Sequence, residues 1–180
     1  VYDLTHFIAV LLNHIYSEDK QFQAYTRKIS WMRGSHCLGK LAHAVPPALR
    51  RHSRFMNLKP ISDWGMEVLN LLDQNNQEAF GKEIEALRWV ADYRDFLYEL
   101  DHLNKKINEI EQKLKSEGIS KTSIKETKQI IENFHSPRLQ KFKAEFNSYL
   151  DRMEECVPAH QNVHCSSDII ESTFGKYKNY

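Results

Sequence analysis

The sequence is poor in the features that mark several common classes of protein. It has only three cysteines among 180 residues, Cys37, Cys156 and Cys165, which are too few and too scattered for a disulfide framework. No apolar run approaches the roughly 20 residues that a membrane-spanning helix needs, and no secretory signal pattern is evident. We therefore expect a protein of the reducing cytoplasm, with no membrane partner.

A second absence is local, because residues 20–62 contain no aspartate or glutamate. The rest of the chain has all 24 acidic residues and 16 of the 25 basic ones, so the segment is basic and the remainder is acidic. A stretch of this kind attracts phosphate backbones, and we favour contact with nucleic acid. The alternative is a basic face that docks on the acidic remainder of the same chain. The nine basic residues of the segment are Lys20, Arg27, Lys28, Arg33, Lys40, Arg50, Arg51, Arg54 and Lys59.

Most of the chain shows the apolar periodicity of helices, which predicts a mainly α fold. The most regular run has heptad spacing and predicts coiled-coil-like packing. We expect one long helix over residues 77–115, ended by a glycine at Gly118 and paired with an antiparallel helix that follows Pro137. The residues of the heptad run are Trp89, Tyr93, Phe96, Leu100, Leu103, Ile107, Ile110 and Leu114.

Capping side chains and prolines predict where the other helices begin and end. A helix that starts at Ser17–Asp19 is expected to run past Gly34 toward Ala44, where Pro46 and Pro47 end it. Further helix starts are predicted at Pro60, at Ser120–Ser123 and at Ser136–Pro137.

Three motifs occur in a recognisable order along the chain. Residues 2–12 read Tyr-Asp-Leu-Thr-His-x-Ile-Ala-x-x-Leu and place Asp3 where a strand gives way to a helix. Residues 46–58 read Pro-Pro-x-Leu-Arg-x-x-Ser-Arg-Phe-Met-Asn-Leu, and residues 167–178 place Glu171 on a short helix ahead of Phe-Gly-x-Tyr-Lys. Together they resemble bacterial insertion-sequence transposases of the DDE, RNase H-like type: the segment of the second catalytic aspartate, part of the insertion region and the helix of the catalytic glutamate.

The resemblance implies a helical bundle with a long heptad-patterned hairpin. This bundle would be the helical insertion, joined to the final catalytic helix, of an RNase H-like α/β core whose sheet lies mostly upstream. Residues 1–16 would end the core strand and form the next helix, 17–59 the basic helical segment, 60–156 the helical insertion, and 157–180 the loop and catalytic helix. We therefore expect this chain to be the C-terminal part of a longer protein.

The resemblance also implies the chemistry. Asp3 and Glu171 would be catalytic carboxylates that hold two Mg²⁺ ions, with Mn²⁺ as a substitute, for DNA transposition by phosphodiester hydrolysis and strand transfer. The chain alone would be inactive, because the first-strand aspartate of such enzymes has no counterpart in it. Lys178 lies seven residues after Glu171, where some of these enzymes hold the transposon end. The tyrosine and arginine that precede the glutamate in that pattern are replaced by His164 and Ser167.

DNA is the implied partner, both as transposon ends and as target, with a homodimer in the DNA complex. Arg50, Arg51 and Arg54 are the strongest candidates for DNA contact, because the guanidinium group holds a phosphate in a two-pronged fashion. The resemblance places the protein in the bacterial cytoplasm, associated with the nucleoid.

Other interpretations of the same residues remain open. Asp3 and Glu171 both stand where a carboxylate can cap a helix, and the chain would then be a non-catalytic helical module for protein or DNA interaction. A zinc site is a further alternative, although its ligand spacing is poor and paired Cys-x-x-Cys motifs are lacking. Its four candidate ligands would be Cys156, His160, His164 and Cys165.

Overall fold

The computed structural model describes residues 4–34, 44–49, 57–74 and 82–158. Within these ranges 83% of the residues are helical, which confirms the mainly α prediction. None of the described helices combines the length and apolar character that crossing a bilayer requires. In chain order the elements are α1 (Leu4–Tyr16), α2 (Lys20–Gly34), α3 (Leu58–Asp73), α4 (Lys82–Glu85), a 3₁₀ segment (Arg88–Tyr93), α5 (Arg94–Glu117), α6 (Lys121–Ile130) and α7 (Pro137–Cys156).

Three predicted helix starts have the expected capping bonds. The Asp19 carboxylate accepts a hydrogen bond from the Phe22 N–H at 2.8 Å, at the start of α2. Ser120 and Ser123 cap α6 reciprocally, since each side chain accepts from the backbone N–H of the other. At α7, Ser136 is the cap and Pro137 is the first helical residue. Each such cap stabilises a helix by about 1 kcal/mol.

The end of α5 was also predicted correctly. Gly118 has a φ of 73°, in the left-handed region that glycine occupies at little cost. Its N–H donates to the carbonyl of Leu114 at 3.0 Å, which satisfies a carbonyl of the last turn.

The prediction of one continuous helix over residues 77–115 was wrong. The α-helix begins only at Arg94, and residues 88–93 form a 3₁₀ helix with a tighter repeat of three residues per turn. Heptad spacing placed Trp89 and Tyr93 on the same stripe as Phe96, but three residues per turn do not keep heptad spacing on one face of a helix. The rings of Trp89 and Tyr93 both contact Tyr25, at 5.6 and 5.0 Å between ring centroids. From Phe96 onward the predicted stripe holds except at Ile107, which is only half-buried. Its buried members are Phe96, Leu100, Leu103, Ile110 and Leu114.

The described residues divide into two compact units. We call residues 13–34, 44–49, 57–74 and 82–105 the aromatic unit, and residues 4–12 and 106–158 the charged unit. Helices α1 and α5 contribute residues to both.

The core of the aromatic unit is centred on Tyr25, which is completely buried. Four rings lie around it, with centroids 5.0 to 6.5 Å away. Gly65 of α3 lets this packing form, because a β-carbon there would lie 2.5 Å from Leu97 Cδ2 and 2.6 Å from the Tyr25 hydroxyl. The four rings belong to Trp64, Trp89, Tyr93 and Phe96.

The charged unit combines an aromatic core with ion pairs between its helices. Phe7 of α1 stacks on Tyr149 of α7, with 3.9 Å between ring centroids and 9° between ring planes. Lys113 joins α5 to Glu126 of α6 at 2.6 Å. Lys128 joins α6 to Asp151 of α7, also at 2.6 Å. The direct antiparallel pairing of α5 with α7 stays a prediction.

Candidate nucleic-acid interface

The six residues to which the sequence assigns catalysis and the strongest DNA contacts lie outside the described ranges, so their arrangement stays a prediction. The carboxylates that would hold Mg²⁺ are among them, and so is the cluster of three arginines. In the ranges 4–34, 44–49, 57–74 and 82–158, no three histidine, cysteine or acidic side chains come together as a metal site. The residues concerned are Asp3, Glu171, Lys178, Arg50, Arg51 and Arg54.

The zinc alternative also stays open. Cys156, at the end of α7, is exposed and forms no disulfide with a described residue. The other three candidate ligands, His160, His164 and Cys165, lie outside the described residues.

The described part of the acid-free segment is mostly α2, and its packing decides which side chains face outward. Tyr25, Ile29 and Met32 are at most 1% exposed and fix the inner face of the helix. Arg27 and Trp31 are four residues apart, so they are neighbours on the opposite face. Both are exposed, as are Lys28, Ser30 and Arg33. We call Arg27, Lys28, Ser30, Trp31 and Arg33 the α2 surface.

Trp31 is the most exposed large apolar side chain among the described residues, at 71% of its full accessible area. Tryptophan is costly to leave in water, and large exposed aromatic groups mark binding surfaces. Sequence reasoning missed this residue. The signal was available, since Trp31 lies off the stripe of Tyr25, Ile29 and Met32 that faces the core.

Lys28 is an exposed cation with a defined position. Its Nζ lies 5.2 Å from the ring centroid of Trp89 and 5.1 Å from that of Tyr93. Two aromatic faces attract the ammonium group and limit where it can move. The side chain is thus positioned to meet an incoming anion.

Arg33 lies on the other flank of α2, at an open groove of about 360 Å³. Its guanidinium donates a hydrogen bond to the carbonyl of Pro46. The indole N–H of Trp64 donates to the carbonyl of Ala44 at 2.8 Å, so residues 44–49 are fastened to both α2 and α3. The groove is lined by Ser30, Arg33, Gly34, Pro47, Ala48 and Leu49.

Tyr25 fixes α2 in place and has no direct part in binding. Its hydroxyl donates to the carbonyl of Ile61 at 3.4 Å, a long and therefore weak bond. Burial, followed by the neighbouring Tyr93, raises the pKa of Tyr25 far above its ordinary value of 10. The phenol is therefore neutral at physiological pH and serves as part of the core.

The cations of α2 differ from those of the charged unit in their partners. Among the described residues, no carboxylate forms an ion pair with Arg27, Lys28 or Arg33. Lys113 and Lys128, in contrast, each contact two carboxylates. The α2 surface therefore offers three positive charges and one indole to a partner that is anionic and aromatic, which is the chemistry of a nucleic acid.

Comparison with known proteins identifies no relative. No family model matches the chain, and neither a curated protein nor a solved structure matches it. Function is therefore inferred from the chemistry of the α2 surface and from the sequence motifs.

Proposed function

We propose that this chain is the C-terminal, DNA-holding part of a DDE transposase of the bacterial insertion-sequence type. The activity would be DNA transposition by metal-dependent phosphodiester hydrolysis and strand transfer. The single observation that best supports this proposal is the α2 surface, where three cations within an acid-free segment have no carboxylate partner among the described residues.

Electrostatics explains why such a surface suits DNA. Each lysine or arginine that neutralises a phosphate releases counterions from the duplex, and this release is a large part of the affinity. Arg27, Lys28 and Arg33 would contribute in this way. Leu49 lines the groove beside Arg33, and the predicted arginine cluster begins at the next residue, Arg50. We propose that α2 and this cluster together form the DNA-holding surface.

The proposed chemistry requires carboxylates from both ends of the chain. Asp3 and Glu171 would hold the Mg²⁺ ions, which would supply activation of water or of a DNA 3′-hydroxyl and stabilisation of the leaving oxygen. Lys178 would hold the transposon end. The first catalytic aspartate would come from a part of the transposase upstream of this chain.

The catalytic half of the proposal is tested with Glu171→Gln in the full-length transposase. The substitution keeps the size and polarity of the side chain but removes the charge that a metal ion needs. We expect Mg²⁺-dependent strand transfer to be lost, while DNA affinity changes little. Glu155→Gln, at an exposed position near the end of α7, is the matched control and should transfer strands normally.

A second candidate function is a non-catalytic helical interaction module. The observation that favours it is Trp31, because exposed tryptophans also anchor protein–protein interfaces. In that case Glu171 would only cap a helix, and Glu171→Gln would cost about 1 kcal/mol of stability without affecting any strand transfer. Undiminished strand transfer by this variant would reject the catalytic proposal.

A further inference from the structure

We infer that two copies of this chain form a symmetric dimer, in which the α2 surface of each copy lies on an acidic patch of the other. The acidic patch consists of Asp92, Asp95 and Tyr98, at the end of the 3₁₀ segment and the start of α5. The inference does not rest on the proposed function, because it concerns the chain in the absence of DNA. DNA held by α2 would displace the partner copy, so this dimer is distinct from the homodimer that the resemblance implies in the DNA complex.

The acidic patch carries negative charge that the described part of its own chain does not balance. Asp92 and Asp95 are exposed, and no basic side chain among the described residues forms an ion pair with either. Arg88 and Arg94 are the nearest basic residues in the sequence, and each forms an ion pair with a carboxylate outside the patch. The patch is therefore the electrostatic complement of the α2 surface, whose cations form no ion pair with a described carboxylate.

Each of the two surfaces also presents an exposed aromatic ring. Trp31 on α2 is 71% exposed, and Tyr98 in the acidic patch is 47% exposed. The Tyr98 hydroxyl accepts a hydrogen bond from Arg94 at 3.3 Å, which limits the positions of its ring. Aromatic side chains anchor protein–protein interfaces because they bury a large area at a small cost in entropy. Each contact between the two surfaces would bury one indole and one phenol ring.

The α2 surface and the acidic patch adjoin each other within the aromatic unit. Lys28 Nζ lies 5.1 Å from the ring centroid of Tyr93, and Asp92 is the residue directly before that tyrosine. Trp31 follows Lys28 by three positions and therefore lies on the same flank of α2. A positive and a negative surface placed side by side are self-complementary, since rotating a second copy by a half-turn sets each surface on its opposite. Both surfaces of both copies are then covered, so association stops at two copies.

Charge complementarity favours a second copy over an unrelated charged protein. An acidic partner would cover only the α2 surface, and a basic partner would cover only the acidic patch. The half-turn arrangement covers both, because it brings the cations of each α2 surface toward Asp92 and Asp95 of the other copy on both sides of the axis.

The experiment measures the mass of the full 180-residue chain in solution, without DNA, by sedimentation and light scattering. At about 0.1 M salt we expect twice the single-chain mass of 21.2 kDa. At about 1 M salt the dissociation constant should rise at least about tenfold, because the Debye length falls from about 10 Å to about 3 Å. Trp31→Ala should weaken the dimer about tenfold, as the loss of an interface anchor does.

Charge reversal tests which surfaces meet. Arg27→Glu with Lys28→Glu makes both surfaces negative, and Asp92→Lys with Asp95→Lys makes both positive, so each double variant alone should be monomeric. An equimolar mixture of the two double variants should form a one-to-one dimer, and a chain with all four substitutions should dimerise again. These restorations would also show that the substituted chains are folded.

The control is Lys105→Glu with Lys106→Glu on α5, which has the same net charge as the α2 double variant and leaves both surfaces intact. It should dimerise like the wild-type chain. The inference is overturned if the wild-type chain is monomeric at low salt, if either reversal alone leaves the dimer intact, or if mixing the two double variants does not restore it. Growth beyond two copies would overturn the half-turn arrangement.

Discussion

The two units use the same basic side chain in different ways. In the charged unit, Lys113 and Lys128 lie between helices and each contacts two carboxylates, so their charges are paired within the unit. On α2, Lys28 rests on two aromatic rings and forms no ion pair with a described carboxylate. The positive charges of Lys113 and Lys128 are thus balanced by carboxylates of their own unit, whereas no described carboxylate balances that of Lys28.

The cores of the two units also differ in how their aromatic rings pack. The charged unit stacks rings in parallel, as in Phe7 on Tyr149, and adds ion pairs at the surface. The aromatic unit builds its core around Tyr25, and the close approach at Gly65 leaves no room for a larger residue there. We therefore expect substitutions in the charged unit to affect stability, and substitutions on the α2 surface to affect binding.

The largest expected effect is that of Phe146→Ala in the charged unit. Phe146 is fully buried, and its ring lies 5.4 Å from that of Phe142 and 6.2 Å from that of Phe7. Removing it leaves a cavity and should lower the free energy of unfolding by about 3–5 kcal/mol in urea denaturation. Val10→Ala, at a position 53% exposed on α1, is the control. Equal effects of the two substitutions would contradict the assigned core.

Gly65→Ala should have the next largest effect, in the aromatic unit. The new methyl group would lie 2.5 Å from Leu97 Cδ2, and overpacking of this kind costs about 1–3 kcal/mol. Gly34→Ala is the matched control, because a β-carbon there would meet no atom within 4 Å. The measurement is the thermal unfolding temperature of the two variants. If Gly65→Ala unfolds at the same temperature as Gly34→Ala or at a higher one, α3 and α5 are not in close contact.

Tyr25→Phe should reduce the alkaline sensitivity of the protein. The pKa of Tyr25 is raised in the folded chain, so above pH 10 the unfolded chain loses this proton while the folded chain keeps it. The stability from the buried phenol is therefore complete below pH 10, and its loss above that pH proceeds at about 1.4 kcal/mol per pH unit. Tyr25→Phe should flatten this fall, and Tyr98→Phe is the control. An unchanged slope would mean that Tyr25 is not buried.

Lys128→Met should have the smallest effect on stability. The hydrogen bond that Lys128 donates to the Asp151 carboxylate raises the pKa of Lys128. The contribution of this pair to stability is therefore complete at neutral pH and is lost only as the pH rises above 10.5. Exposed and half-exposed ion pairs contribute about 0–1 kcal/mol, and salt screens them. We expect a loss within that range at low salt that fades at high salt. A loss of several kcal/mol would show that the pair is much less solvated than its geometry indicates.

Local signals in the sequence predicted much of the helical framework. Asp19, Ser120, Ser136 and Gly118 act within one turn of their own position, so the helix ends that depend on them are visible without tertiary information. The heptad run failed at Trp89 and Tyr93, because residues 88–93 form a 3₁₀ helix, whose three residues per turn do not match heptad spacing. Both rings contact Tyr25, which lies more than 60 residues earlier in the chain, and such a contact has no local signal in the sequence.

The candidate site was predictable only in part. The acid-free segment pointed to α2 through its charge alone, and Lys28 and Arg33 were included for that reason. Trp31 was not singled out, although its position off the apolar stripe of Tyr25, Ile29 and Met32 already predicts that it faces away from the core. The support that Trp89 and Tyr93 give to Lys28 depends on the tertiary fold, so it could not be inferred from spacing.

The measurement that tests the central claim most directly is the salt dependence of DNA binding by two charge-matched variants. One carries Arg27→Gln, Lys28→Gln and Arg33→Gln on α2, and the other carries Lys105→Gln, Lys113→Gln and Lys128→Gln. All three lysines of the second variant form ion pairs in the structure.

Both variants lose three positive charges, so a difference between them reports position and not net charge. Each phosphate contact contributes about 0.9 to the slope of log affinity against log salt, so the α2 variant should lose up to about 2.7 and the control almost nothing. Equal slopes in the two variants and the wild-type chain would contradict the assignment of the α2 surface as the DNA-binding surface.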